Sequence, residues 1–135
     1  MPLVSVTRLR LRSWRFFPGF VWYAMRSDMQ ARRAPGNRAV KTMREPGNIF
    51  WTATAWDSEN AMKQFRGSDA HGRVMPKLLN WCDEASVARW TQDTDALPTW
   101  QDAHRRMVAE GRRSRVRHPS AAQERFEIPP PRTRS

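Results

Sequence analysis

Ile49-Phe50-Trp51-Thr52-Ala53-Thr54-Ala55-Trp56 is the strongest strand signal in the chain. Its β-branched and aromatic residues run without a break. Both of its faces are apolar or small, so both should be covered. Immediately upstream, Glu45-Pro46-Gly47-Asn48 reads as a turn, because Pro presets φ while Gly and Asn tolerate positive φ. The residues before that turn, 38–44, alternate and read as another strand. Two strands around one tight turn predict an antiparallel hairpin.

Toward the N-terminus, residues 3–12 form a third strand. Leu9 and Leu11 share one face, and Arg8, Arg10 and Arg12 share the other, as in a half-buried strand. Phe17, Val21, Met25 (or Ala24) and Met29 then recur at helical spacing, with Arg26, Asp28, Gln30, Arg32 and Arg33 opposite. Pro18 suits a first turn and Pro35-Gly36 a stop, so this is an amphipathic helix of about four turns.

Toward the C-terminus, Asp57 or Ser58 caps a helix that presents Ala61, Met62 and Phe65. Gly67 interrupts it. A second start at Ser68 or Asp69 leads into a helix with Val74, Leu78, Trp81 and Cys82 on one face, where Pro76 is a kink or a start. Residues 86–91 read as a fourth strand. Pro98 and Thr99 open a last helix that Gly111 closes. Residues 112–135 have no periodic apolar face and read as a basic, Pro-rich, extended or disordered tail behind a domain of residues 1–111.

The order β-α-β-β-α-β is that of the ferredoxin-like α+β plait, here with an added C-terminal helix. Such a sheet carries its helices on one face. Phe50 and Trp56 lie on one side of the 49–56 strand and Trp51 on the other, so the second face needs a cover as well. Pairing with a second copy provides one, and an isologous homodimer is the expectation.

Charge separates the remaining classes. The 24 Lys and Arg against 13 Asp and Glu give a net charge of +11, concentrated in residues 1–44 and 112–135. Such ends attract anions. All but Lys41, Lys63 and Lys77 of this positive charge is Arg, a pattern that high-GC bacterial codon usage produces by itself. The RNA-recognition motif shares this element order, but it needs a basic-Gly-aromatic run on a central strand, and Ile49–Trp56 has neither Gly nor a basic residue. No specific nucleic-acid partner is expected. No apolar run approaches the roughly 20 residues of a membrane helix, and the N-terminus lacks the apolar core of a signal peptide. Cys82 is the only cysteine, so no internal disulfide is possible, and a cytoplasmic protein with no membrane partner is expected. No Gly-rich phosphate loop, paired carboxylates or His/Cys metal cluster is visible, which argues against nucleotide and zinc enzymes.

Three segments carry a resemblance: FWTATAWDSENAMKQFRGSDAH (50–71), MPKLLNWCDEASVARW (75–90) and LPTWQDAHRRMVAEGR (98–112). Through them the chain, over about residues 3–118, resembles the antibiotic-biosynthesis-monooxygenase-like dimeric α+β barrels, in a bacterial branch distantly similar to spheroidene monooxygenase. The resemblance implies the plait and the dimer. That superfamily spans cofactor-free oxygenases, haem-degrading enzymes, decarboxylases and isomerases. The function expected here is a monooxygenase-like protein that acts on or binds a hydrophobic aromatic or polyene molecule between sheet and helices. A non-catalytic ligand-binding dimer is the alternative, and a haem protein a lesser one.

The candidate catalytic residues are His71, as general base or haem ligand, and Tyr23, as a proton donor. Haem-degrading relatives place their ligand histidine about a turn further along, near Met75, so no cofactor is expected. The candidate ligand-binding residues are Trp51, Trp22, Thr52, Trp56 and Trp81, with Trp14, Trp90 and Thr54 beside them. Flat ligands stack on indoles, although core packing is the commoner fate of any single Trp. His104, Arg105 and Arg106 could hold an anion or form a solvated helix face, and Asn80 and Asp83 read as the polar side of a helix.

Overall fold

The hairpin forms as its turn chemistry dictates. In a computed structural model describing residues 2–67 and 76–132, β2 (Asn37–Glu45) returns as β3 (Ile49–Trp56). Gly47 and Asn48 occupy positive φ at 94° and 63° between them. Glu45 pairs with Ile49, which fixes the register of the ladder. β1 (Leu3–Leu11) lies antiparallel to β3 on one side and to β4 (Cys82–Thr91) on the other. With the short β5 (Arg112–Arg113) beside β4, the sheet order is β2-β3-β1-β4-β5. This is the ferredoxin-like plait with one added edge strand, an α+β fold.

Helices start where short polar side chains can cap them. Ser58 Oγ accepts from the Ala61 amide at 3.2 Å at the head of α2 (Glu59–Arg66). Thr99 Oγ1 accepts from the Asp102 amide at 3.1 Å at the head of α3 (Trp100–Glu110). α1 (Phe17–Arg33) has Pro18 in its first turn and stops before Pro35. Gly36 then adopts φ +86°, and a Cβ there would lie 2.5 Å from Ala61 Cβ, so only glycine lets the start of β2 pass α2. Residues 76–81 are helical and lead directly into β4.

The sheet is buried on both faces. On one, Val4, Val6, Trp51, Ala53 and Ala55 pack with Trp100, Ala103 and Met107 of α3. On the other, two separate clusters form: Leu9, Leu11, Phe20 and Cys82 at one end, and Leu3, Trp56 and Met62 at the other.

Several sequence expectations are corrected. The second face does not wait for another copy, because the chain's own α3 covers it. The tail is packed over residues 112–132. β5 pairs with β4, and α4 (Ala121–Arg125) follows Ser120. Buried Gln123 bonds the Ala85 amide at 3.1 Å and the Ala85 and Ser114 carbonyls at 3.0 and 2.9 Å. Its side chain thus completes an open strand edge, a polar contact that apolar periodicity does not register. Arg8 does not face solvent. It is 3% exposed and ion-paired to Glu84 at 2.7 Å. β4 begins at Cys82, four residues before the expected start, so Cys82 and Asp83 belong to a strand and not a helix. The ladder with β1 and the Arg8–Glu84 pair override a local pattern that reads as helix. α1 is also rotated from its expected orientation. Phe20 and Ala31 are buried while Met25 and Met29 are exposed, and Asp28 faces inward.

Candidate functional site

The gap between the two clusters on the helix face is a cavity of ≈ 390 Å³. That size suits a small molecule of a few rings. Its floor is two cross-strand rows of the sheet. One row runs Thr42, Thr52, Thr7, Val87, and the next Val40, Thr54, Ser5, Arg89. Ser and Thr at the middle of three strands are too short to meet the helices, so a hollow remains where larger side chains would close the core. α1 supplies the roof through Phe20, Tyr23, Ala24 and Asp28, and α2 adds Met62, Phe65 and Arg66. Ser114, Arg115 and Val116 of the tail close one side.

The chemistry inside is mostly apolar with a hydroxyl-bearing floor. Trp56 Nε1 donates to Thr54 Oγ1 at 2.8 Å, which orients that hydroxyl, and the Trp56 ring lies 5.2 Å from Phe65. Lys77 Nζ donates to the Tyr23 hydroxyl at 2.6 Å, so a cation stands beside the one phenol of the chain. Cys82 lines the cavity as well. Burial, with Asp83 adding to it, pushes its thiol up to about 12, which disfavours the thiolate that a nucleophile needs. Arg89 Nε is buried without a hydrogen-bond partner among the described residues.

The sequence candidates divide by sheet face. Tyr23, Thr52, Thr54 and Trp56 line the cavity together. Trp51 does not. It is fully buried on the opposite face, where its Nε1 donates to Glu45 Oε2 at 3.0 Å. Period-two geometry forbids Trp51 and Thr52 from sharing one pocket. Trp90 is on that opposite face too. Trp22 and Trp14 are exposed on the outside. Trp81 packs behind the cavity against Phe16 and Tyr23, with centroids at 6.3 and 6.0 Å. His71 lies outside the described residues. His104 Nε2 contacts the Ile128 carbonyl at 2.7 Å, tying α3 to the tail. Arg105 pairs with Asp102, and Arg106 pairs with Glu110 at 3.2 Å, so these two arginines form a surface face. Asn80 accepts from Arg12 at 3.2 Å. Sequence reasoning missed Ser5, Thr7, Arg89 and the tail residues. The alternation Ser5-Thr7-Leu9 in β1 was the available signal.

This plait is the fold of the antibiotic-biosynthesis-monooxygenase-like proteins. Three solved structures show the likeness. One is Rv0793 of Mycobacterium tuberculosis, with TM-score 0.63, 14% identity, and 71% of this chain and 99% of that one covered. The second is a putative antibiotic biosynthesis monooxygenase of Nitrosomonas europaea, with TM-score 0.60, 12% identity and coverage of 67% and 89%. The third is SnoaB, a cofactor-independent oxygenase of Streptomyces nogalater solved as a mutant, with TM-score 0.57, 16% identity and coverage of 73% and 98%. The chain belongs to the DUF3291 family, described as a domain of unknown function, whose profile matches residues 13–119. No curated protein matches it.

Proposed function

We propose that this protein binds a flat hydrophobic molecule, aromatic or polyene, in the cavity and oxygenates it without a cofactor. The observation that carries the reading is the hollow itself: an apolar space of ≈ 390 Å³ with hydroxyls ranged along one wall. The fold likeness to a cofactor-independent oxygenase supports the reaction. In such chemistry an acidic phenol or enol loses a proton, and the electron-rich substrate then reduces O₂ directly. Tyr23, which lines the cavity, and His71, which rests on the sequence alone, are the groups assigned to the proton. Haem fits the described lining poorly, because that lining holds no imidazole. The reading includes a homodimer. Trp22, Met25 and Met29 are exposed at 60%, 61% and 53% on α1, three apolar side chains within two turns of one helix.

Two variants, read by ligand binding and oxygen uptake, and sedimentation of the wild type test this. Thr52→Phe places a ring at the centre of the floor. It is expected to weaken binding of an anthracene-type ligand, read by tryptophan fluorescence, about tenfold or more, a loss of about 1.4 kcal/mol or more. Melting should shift by only a few degrees, because the ring enters empty space and creates no overpacking. Binding equal to wild type in Thr52→Phe would remove the cavity from the function. In an oxygen electrode, consumption with anthrone that falls in Tyr23→Phe supports the oxygenase. Tight binding with no oxygen uptake leaves a binding protein. Sedimentation velocity showing only monomer at micromolar concentration overturns the dimer.

A further inference from the structure

Three arginines line the apolar cavity, and one of them, Arg89, stands in its floor. Arg89 of β4 ends the floor row that runs through Ser5 and Thr54, and it sits directly opposite Ser5 in the ladder. Arg66 from α2 and Arg115 from the tail line the same cavity, and among the described residues Asp28, whose Oδ2 accepts from Arg32, is the one acidic side chain in the lining. The Arg89 guanidinium is held below the usual arginine range, first by burial and then by Arg66 and Arg112, with only Glu59 acting the other way. Its Nε points no hydrogen at any described residue, although the atom is shut off from solvent. A buried guanidinium N–H with no acceptor is costly, and like-charged neighbours add to that cost. Both costs fall if an anion sits against it. A planar guanidinium is matched in shape and charge by a carboxylate, which takes two parallel N–H donors.

We propose that the natural ligand is an amphipathic carboxylate: an apolar, flat body over the Thr7–Thr52 floor, with its carboxylate on Arg89 and within reach of the Ser5 and Thr54 row. This rests on the cavity being the binding site, and it names which hydrophobic molecules the site takes. Neutral polycyclic compounds of the same shape would leave the Arg89 Nε as it is.

The test uses a matched fluorescent pair, anthracene-2-carboxylate and anthracene-2-carboxamide, titrated into the full chain at pH 7. The carboxylate is expected to bind about tenfold tighter or more, the range of a charge-assisted hydrogen bond over a neutral one. In Arg89→Met the preference should disappear, the carboxylate binding no more tightly than the carboxamide, while a cooperative melting transition near that of wild type reports an intact fold. Arg89→Lys keeps the charge without the fork and should recover only part of the preference. Equal affinities in wild type, or a preference that survives in Arg89→Met, overturn the carboxylate assignment and leave the cavity reading standing. If neither compound binds, the cavity reading itself fails, and this inference with it.

Discussion

Glu84→Gln is expected to lower folding stability by about 3–5 kcal/mol, the range for breaking a buried ion pair by removing one partner. Glu84 is 4% exposed on β4 and accepts from Arg8 Nη1 at 2.7 Å, Arg10 Nη1 at 3.2 Å and Ser120 Oγ at 2.9 Å. Arg8 is 3% exposed and its Nε already lacks a partner, so losing Glu84 strands a full charge inside the sheet's second face. Glutamine has the same size, so no cavity contributes. For a chain of this length the melting point should fall by roughly 10–20 °C. The double variant Arg8→Met with Glu84→Leu should recover most of the loss, because neither charge is then buried. Melting of Glu84→Gln within two or so degrees of wild type would mean that the pair contributes nothing.

The pH dependence follows with a definite sign. Burial pushes the Glu84 carboxyl up, but the hydrogen bonds from Arg8, Ser120 and Arg10 and the Arg8 charge outweigh it and hold it below the usual range. A carboxyl depressed in the folded state contributes stability above its unfolded value, near 4.3, and loses it as pH falls through the lower folded value. Asp83 next door is raised, chiefly by burial, and works in the opposite sense over the same acid range. The acid limb of the wild type is therefore a mixture. The difference between wild type and Glu84→Gln reports Glu84 together with its effect on Asp83, which the Glu84 charge helps to raise: it is constant at neutral pH and closes as the medium turns acid.

How much of this architecture the sequence reveals depends on whether the signal is local. The β2–β3 hairpin is legible because turn chemistry, strand propensity and apolar pattern agree within 20 residues. The starts of α2 and α3 are legible because Ser58 and Thr99 cap helices by their own short side chains. The first half of β4 is not. Cys-Asp-Glu-Ala is a poor strand by propensity, and it is one here because Arg8, distant in sequence, meets Glu84 across the ladder. The tail is hidden for the same reason. Its attachment runs through the Gln123 amide and the Ser120 hydroxyl, which leave no hydrophobic period.

The site divides in a similar way. The resemblance gives the fold and a pocket between sheet and helices, and Tyr23, Thr52 and Trp56 meet there. Weight placed on tryptophans pulled in Trp51, Trp22 and Trp81, which lie elsewhere. A hollow is made by what is small, so the informative residues were Ser5, Thr7, Thr42, Thr52 and Thr54, short side chains at period two on three neighbouring strands. Arg89 was invisible as a site residue because its significance lies in a missing partner, and only coordinates show that.

Trp51 tests this division of the two faces, since its neighbour Thr52 lines the cavity while Trp51 is sealed on the far side. Trp51→Ala should cost about 3–5 kcal/mol for the vacated core volume. A further 1–3 kcal/mol or so comes from Glu45, 3% exposed, which loses the indole N–H that donates to it at 3.0 Å. The Trp100 ring, at 6.4 Å, and the Arg8 guanidinium, at 6.0 Å over the indole, would lose their packing partner as well. Loss on that scale could unfold the chain outright, given ordinary domain stabilities of about 5–15 kcal/mol. The sharper experiment is therefore Trp51→Phe, which keeps most of the ring and removes only the donor. It should lower stability by about 1–3 kcal/mol in a urea titration, the cost of leaving Glu45 unsatisfied. It should leave anthracene-carboxylate affinity unchanged, because the pleat sends the Trp51 side chain to the face opposite the cavity. Trp56→Phe, on the cavity side, should reverse the pattern in part: it frees the Thr54 hydroxyl from its 2.8 Å donor and so alters ligand affinity as well as stability. A Trp51→Phe protein that melts like wild type but no longer binds the ligand would move the functional site to the α3 side of the sheet, and the hollow under α1 would then be a packing defect.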